Sequence, residues 1–140
     1  MDIKEITALE AFEILNTNHN SALIDVRCEA EFNFTGLANL EKTNKNLILL
    51  PWRNYPEMAI DSQFKNKLTN ILHDKSLDQE SDLLFICRSG ARSREAAYLI
   101  AKSGYNCYNI SDGFEGDLDQ NNHRGNKNGW KANNLPWRQS

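Results

Sequence analysis

Residues 83–92 read Leu-Leu-Phe-Ile-Cys-Arg-Ser-Gly-Ala-Arg, and this stretch decides the fold. Its first five residues form the longest unbroken apolar run of the chain, which predicts a strand over 83–87. The next residues are small or basic and predict a tight turn. Residues 92–103 then place Ala96, Leu99 and Ile100 on one side, which predicts a helix that ends at Gly104.

The same alternation of strand and helix continues on both sides of this stretch. Thr7 and Glu10 stand at the spacing of a capping box, so a helix is expected to begin there. Further strands are predicted over residues 3–6, 22–26, 47–50 and 107–110, and further helices over 29–34 and 64–72. Asp61 or Ser62 is the expected cap of the helix over 64–72. This order predicts an α/β fold with a mostly parallel sheet and helices on both faces.

Composition excludes several classes of protein. The chain has 140 residues, of which 40% are hydrophobic and 25% charged, as in one globular domain. Its longest apolar run of five residues is far below the roughly 18 that a membrane span needs. A net charge of −3 gives no support for a nucleic-acid partner. We therefore expect neither a membrane nor a nucleic acid among its partners.

The cysteine pattern indicates a reducing compartment. Only three cysteines are present, without a Cys-x-x-Cys spacing, which argues against a disulfide framework and against a structural zinc site. The N-terminal residues Met1-Asp2-Ile3-Lys4-Glu5 show no secretory signal. The expected location is the cytoplasm, and no metal is expected.

Residues 1–140 are interpreted as one domain, with 117–140 as a C-terminal extension packed on it. This extension is rich in Gly and Asn, and Trp130 and Trp137 are its large anchors. His123 and Arg124 leave two alternatives open. They either fold over the site described next or belong to a solvated tail.

Cys87 is the candidate catalytic residue. Ligands of parallel sheets bind outside the carboxyl ends of the strands, where the sequence places this cysteine. The following residues, Arg88, Ser89, Gly90, Ala91 and Arg92, precede a helix, and such a junction aims backbone N–H groups at an anion. These amides and the two arginines favour the nucleophilic thiolate. The interpretation requires a sulfur that is ionised and open to solvent at the mouth of a cationic loop.

Asp25, Cys28 and Trp52 each have two interpretations. Asp25 lies in an otherwise apolar strand, and we favour a buried anchor that pairs with Arg27 or with loop amides over a general base. Cys28 follows the same strand and is either a resolving thiol for Cys87 or a spectator. Trp52 either lines the site or packs in the core.

Several motifs resemble the signatures of rhodanese-like domains, in the same order along nearly the whole chain. The matching stretches are Leu23–Arg27 with Glu31-Phe32, Cys87–Ser93 with Ala96-Ala97, Gly104-Tyr105, Asn109-Ile110, Gly113–Gly116, Gly129–Lys131 and Leu135–Trp137. One departure follows Gly36, where the family usually continues Gly-His-Ile. Here Leu37 and Ala38 stand instead, without a histidine.

The resemblance implies a single-domain sulfurtransferase with a five-stranded parallel sheet in the order 1-5-4-2-3. It implies a persulfide on Cys87, loaded from thiosulfate or a persulfide donor and unloaded to cyanide or to a small-molecule or protein thiol, without a cofactor. Cys87 to Arg92 span six residues. Related phosphatases and arsenate reductases, by the same resemblance, have one residue more, which disfavours that activity here. A non-catalytic binding or regulatory module is the other alternative, although such modules are expected to have lost the cysteine or the loop arginines.

Overall fold

A parallel five-stranded sheet forms the centre of the protein in the computed structural model, which describes residues 2–43, 46–54 and 57–139. The strands within these ranges are β1 (Lys4–Ile6), β2 (Ser21–Asp25), β3 (Leu37–Ala38), β4 (Leu47–Leu49), β5 (Arg53–Asn54), β6 (Ala59–Ile60), β7 (Asp82–Ile86), β8 (Asn106–Ile110) and β9 (Trp137–Arg138). The central sheet has the order β1-β8-β7-β2-β4, and all of its pairs are parallel. Counted along the chain, these five strands stand in the expected order 1-5-4-2-3.

Four helices of the described part of the chain connect these strands. They are α1 (Ala8–Thr17), α2 (Glu29–Thr35), α3 (Phe64–Asp74) and α4 (Ala91–Ala101). The capping box predicted for α1 is present, because the Thr7 side chain accepts from the backbone of Glu10 and the Glu10 carboxylate accepts from that of Thr7. α3 begins differently from the prediction. Its N-cap is Gln63, which gives no side-chain cap, and the Asp61 carboxylate accepts from the Gln63 amide.

The two faces of the sheet are covered by different helices, as the alternation predicted. β2 and β7 are buried on both sides, so their successive residues belong to opposite cores. Ala22 and Phe85 pack with α3 and α4, whereas Leu23 and Leu84 pack with α1. This arrangement holds the ends of β2 and β7 side by side at the middle of the sheet.

The segment after Gly116 is tied to the rest of the protein by packing and by strand pairing. β9 pairs antiparallel with β3, a pairing that the sequence analysis did not predict. Trp130 is fully buried, its Nε1 donates to the Pro136 carbonyl at 2.7 Å, and its ring meets that of Phe12 edge-on. No helix within the described ranges is long and apolar enough to cross a membrane.

Candidate active site

The Cys87 loop, residues 87–92, leaves the central strand β7 and enters α4. β7 ends at Ile86, one residue before the predicted end, because the next carbonyl bonds outside the sheet: the Phe114 amide donates to the Cys87 oxygen at 2.8 Å. Gly90 has φ +106°, and a Cβ there would lie 2.5 Å from the Ser111 carbonyl oxygen. Glycine is therefore required for the sharp turn that points the loop back over the cysteine.

Polar groups of the loop and of the first turn of α4 converge on the sulfur of Cys87. Its Sγ accepts from the amide of Gly90 at 3.1 Å and from that of Ser93 at 3.4 Å, and the Ser93 Oγ lies 3.2 Å away. The amides thus point at the sulfur as the strand–turn–helix pattern indicated. The expectation of a solvent-open sulfur is wrong for this conformation, because only 1% of Cys87 is exposed. The loop and the first turn of α4 enclose the sulfur, so a reagent can reach it only when atoms of these segments move.

The two loop arginines differ, which corrects the picture of a doubly cationic loop. Arg92 forms a two-point ion pair with Glu31 of α2, with Nη1–Oε1 at 2.6 Å and Nη2–Oε2 at 2.9 Å. Its charge is therefore matched by a carboxylate. Burial alone would raise the pKa of Glu31, but the hydrogen bonds and charge of Arg92 lower it to about 2. Arg88 is exposed, and its guanidinium has no ion pair or hydrogen bond with the described residues.

Ser89 and Ala91 complete the loop. Ser89 is half-buried, and Ala91 is exposed at the first turn of α4. The Ser89 hydroxyl makes no hydrogen bond within the described ranges, so it is available to a bound group. Arg88 and Ser89 are thus the polar side chains of the loop that stay without a partner there.

Residues 113–116 brace the loop from behind. Besides the bond from Phe114 to Cys87, the amides of Glu115 and Gly116 donate to the Arg88 carbonyl at 3.1 and 3.0 Å. A Cβ on Gly113 would lie 2.4 Å from that carbonyl oxygen. The Arg124 guanidinium donates to the Gly116 carbonyl at 2.6 Å, and His123 is exposed. Arg124 therefore contacts the brace, not the sulfur.

Asp25 and Arg27 form a fully buried ion pair under the site. Arg27 Nη2 lies 2.7 Å from Asp25 Oδ2, and further nitrogens of Arg27 donate to the same carboxylate. Burial raises the pKa of Asp25, against the lowering effect of Arg27. The guanidinium also donates to Thr35 and to the Gly36 carbonyl, and it stacks on Phe114 at 4.2 Å. The pair thus joins β2, the end of α2 and the brace.

The other two cysteines lie in different surroundings. Cys28 is the N-cap of α2 and is mostly buried, and its thiol donates to Glu31 Oε1 at 3.2 Å. The two interpretations of Cys28, a spectator or a resolving thiol for Cys87, both stay untested. Cys107 belongs to the core, and burial raises its pKa to about 12. Trp52 is also in the core, edge-on to Phe64, which agrees with the second of its two interpretations.

Sequence reasoning assigned no role to three residues that the structure places at the site. Ser93 is buried and contacts Cys87, and its hydroxyl lies 2.5 Å from Asn109 Oδ1. Asn109, fully buried in β8, donates to Glu5 and to the Gly90 carbonyl. Glu31 holds Arg92. An asparagine within the predicted strand over 107–110 was the available signal, because a buried amide needs polar partners.

The described residues offer no metal centre of their own. Within 2–43, 46–54 and 57–139, no three His, Cys, Asp or Glu side chains come together in a way that could hold an ion. The geometry around Cys87 is that of a thiol surrounded by two amides and one hydroxyl group.

Comparison with known proteins agrees with this geometry. The uncharacterized protein RC0915 of Rickettsia conorii is 40% identical over 138 residues, which cover 98% of each chain. The crystal structure of Rv0390 from M. tuberculosis is 36% identical, with a TM-score of 0.88 over the whole of both chains. The polysulfide-sulfur transferase homodimer of Wolinella succinogenes covers 99% of this chain and 80% of its own, with a TM-score of 0.63. At 21% identity, that last likeness concerns the fold alone.

A family model described as Rhodanese-like domain matches residues 7–119. This match covers four strands of the central sheet, β2, β4, β7 and β8, together with the Cys87 loop and the brace behind it. Together with a relative of 40% identity over nearly its full length, it shows that the chain belongs to the family of rhodanese-like domains.

Proposed function

We propose that the protein is a sulfurtransferase that carries a sulfane sulfur as a persulfide on Cys87. The observation that carries this proposal is the arrangement around one sulfur. The amides of Gly90 in the loop and of Ser93 in α4 donate to the Cys87 Sγ, and the Ser93 hydroxyl lies 3.2 Å from it. Donors of this kind stabilise the negative charge of a thiolate or of a persulfide anion.

The transfer takes two steps. The Cys87 thiolate attacks the outer sulfur of a donor such as thiosulfate, a new S–S bond forms, the donor's S–S bond breaks, and sulfite leaves with the electron pair. A thiolate of a small molecule or a protein, or cyanide, then attacks the outer sulfur of the persulfide and releases the Cys87 thiolate. No cofactor enters this scheme.

The two arginines have separate roles in this scheme. Arg88 is exposed and unpaired among the described residues, so it can attract an anionic donor and assist departure of sulfite. Arg92 is engaged by Glu31 and shapes the loop from the side of α2. Asp25 and Arg27 support the same edge of the sheet as a buried anchor, since the carboxylate of Asp25 is occupied by Arg27.

Burial of Cys87 favours a second candidate function, a rhodanese-like module that binds a partner without transferring sulfur. The two candidates differ in whether the loop opens to admit a donor. A phosphatase activity has less support, since six residues from Cys87 to Arg92 leave little room for a tetrahedral oxyanion. We also propose a cytoplasmic location, because all three cysteines are free.

The test is direct loading of the purified chain. After incubation with thiosulfate, peptide mass spectrometry should find the mass of one added sulfur atom on the Cys87 peptide. Cyanide should then remove it and release thiocyanate. Cys87→Ser should lose both signals and keep its circular dichroism spectrum. Cys28→Ser and Cys107→Ser are the matched controls, and both should keep the adduct.

The outcomes separate the candidates. An adduct that turns over supports the sulfurtransferase, and Arg88→Ala should then raise the KM for thiosulfate more than it lowers kcat. A folded chain that forms no adduct with thiosulfate or with a small-molecule persulfide refutes the proposal in favour of the binding module. Vanadate-sensitive hydrolysis of an aryl phosphate, without an adduct, would refute it in favour of a phosphatase.

A further inference from the structure

A hydrogen-bonded chain runs from the surface to the sulfur of Cys87 through two fully buried polar side chains. Glu5 of β1 accepts from Asn109 Nδ2 at 2.8 Å, Asn109 Oδ1 lies 2.5 Å from Ser93 Oγ, and Ser93 Oγ lies 3.2 Å from Cys87 Sγ. These residues come from β1, β8 and α4 and from the end of β7. Neither the family assignment nor the transfer scheme gives Asn109 a role.

The surroundings of Asn109 determine which way its amide points. Its nitrogen faces the Glu5 carboxylate and, at 3.1 Å, the Gly90 carbonyl, and both are acceptors. The NH2 group must lie on that side, because an amide oxygen there would face two other oxygens. Asn109 Oδ1 therefore faces Ser93 and can only accept a hydrogen bond.

Ser93 has one hydroxyl hydrogen for three neighbouring acceptors. Asn109 Oδ1 is at 2.5 Å, Cys87 Sγ at 3.2 Å and the Gly90 carbonyl at 3.3 Å. The contact with Asn109 Oδ1 is the shortest of the three, so the Ser93 hydroxyl donates its hydrogen to that oxygen. A lone pair of Ser93 Oγ is then left towards the sulfur, and it can accept from a Cys87 thiol. The resting arrangement is thus matched to the protonated form of Cys87.

We propose that Asn109 is a positioning residue that controls the ionisation of Cys87 through the hydroxyl rotor of Ser93. At rest, the Cys87 thiol donates to Ser93, which donates to Asn109. On ionisation the thiol proton leaves to solvent, the Ser93 hydrogen turns from Asn109 to the thiolate, and Asn109 Oδ1 loses its donor. Asn109 therefore opposes ionisation, and the same turn supplies a donor to the anion once it forms. The proposal deepens the proposed function and rests on it for its part in sulfur transfer.

Other charged and titratable groups also act on Cys87, and every comparison must keep them constant. Arg92 and Arg94 of α4 interact with its charge, and Glu31 of α2 and Glu5 of β1 pair with these two arginines. Arg88 follows Cys87 in the chain, and Cys28 lies on the other side of the Arg92–Glu31 pair. None of these residues is substituted in the variants below. Asn109→Leu also removes the hydrogen bond from Asn109 to Glu5, and the Ser93→Ala background reveals any effect that this loss has on Cys87.

The test measures the rate of Cys87 alkylation by iodoacetamide against pH, by peptide mass spectrometry. Asn109→Leu should move the midpoint of this profile to lower pH by about half to one unit, the worth of one hydrogen bond. Ser93→Ala should move it to higher pH, because the thiolate loses a donor. In the Ser93→Ala background, Asn109→Leu should have no further effect. Asn106→Leu, on the same strand but at an exposed position, is the matched control and should not shift the midpoint.

The inference is overturned if the midpoint of the alkylation profile stays unchanged or rises in Asn109→Leu. It is also overturned if Asn109→Leu shifts the midpoint equally in the native background and in the Ser93→Ala background. If Asn109→Leu does not fold, the native chain provides the measurement. The NMR resonances of the Asn109 side-chain amide should titrate together with Cys87 and should lose this transition in Cys87→Ala. If these amide resonances do not change while Cys87 ionises, the proposed rotation of the Ser93 hydroxyl is refuted. Neither assay requires sulfur transfer, so a failure of persulfide loading alone would refute only the proposed function.

Discussion

The ion pair between Glu31 and Arg92 gives the sharpest quantitative prediction, for the variant Glu31→Gln. The substitution keeps the size of the side chain and one acceptor oxygen for Arg92, and it removes the negative charge. The two atom pairs at 2.6 and 2.9 Å hold α2 against the Cys87 loop. Loss of the charge should therefore lower the stability of the fold in a manner that depends on pH.

The magnitude follows from the pKa of Glu31, which the pair lowers from 4.5 to about 2. At about 1.4 kcal/mol per unit, the full shift would correspond to about 3 kcal/mol. The side chains of Arg92 and Glu31 are 17% and 20% exposed, so solvent screens part of this interaction. We expect about 1–2 kcal/mol at neutral pH.

The sign of the pH dependence follows from the lowered pKa. A carboxyl group whose pKa is lower in the folded state stabilises the fold above its unfolded value and loses this contribution as the pH falls through the folded value. The native chain should exceed Glu31→Gln in free energy of unfolding by a constant amount above about pH 5. The difference should disappear as the pH falls from the ordinary value of 4.5 to about 2.

Urea denaturation of both chains between pH 2 and pH 8, followed by circular dichroism, measures this difference. Glu95→Gln is the matched control, because Glu95 contacts Arg53 only at 3.5 Å and the two side chains are 51% and 31% exposed. That control should lose less than about 0.5 kcal/mol. A Glu31→Gln difference that is independent of pH, or no larger than that of Glu95→Gln, would refute the reasoning.

Three further predictions concern the supports of the loop. Asp25→Asn leaves Arg27 as an uncompensated buried charge and should lower the free energy of unfolding by about 3–5 kcal/mol. Urea denaturation measures this loss, and a loss below about 1 kcal/mol would contradict the role of Asp25 as a buried anchor. Gly113→Ala places a Cβ 2.4 Å from the Arg88 carbonyl oxygen and should slow the loading of sulfur onto Cys87 about a hundredfold. Mass spectrometry of samples quenched at successive times measures this rate. A rate equal to that of the native chain would show that residues 113–116 do not need to pack closely against the loop. Trp130→Ala should lower the free energy of unfolding by about 3–5 kcal/mol, measured by thermal and urea denaturation. An unchanged melting curve would show that the segment after Gly116 does not contribute to the core.

Local sequence patterns were sufficient to predict the strands of the central sheet and the helices that cover it. The runs over 22–26 and 83–87 are apolar on both faces, a pattern that needs no distant partner to be recognised. The strand order came from the resemblance to rhodanese-like domains, and the sheet has that order. The pairing of β3 with β9 had no such signal, because each strand has two residues and their partners are a hundred positions apart.

At the site, the sequence by itself determined which residues form the loop and that its amides face Cys87, because a strand, a glycine turn and a helix N-terminus are local features. Only the tertiary structure decided how charged and how accessible that loop is. Arg92 pairs with a glutamate 61 positions away, Ser93 meets an asparagine of another strand, and the sulfur lies buried beneath them. The net charge around a residue and its burial depend on all the residues close to it in space. Many of these come from distant parts of the chain and are known only from the folded structure.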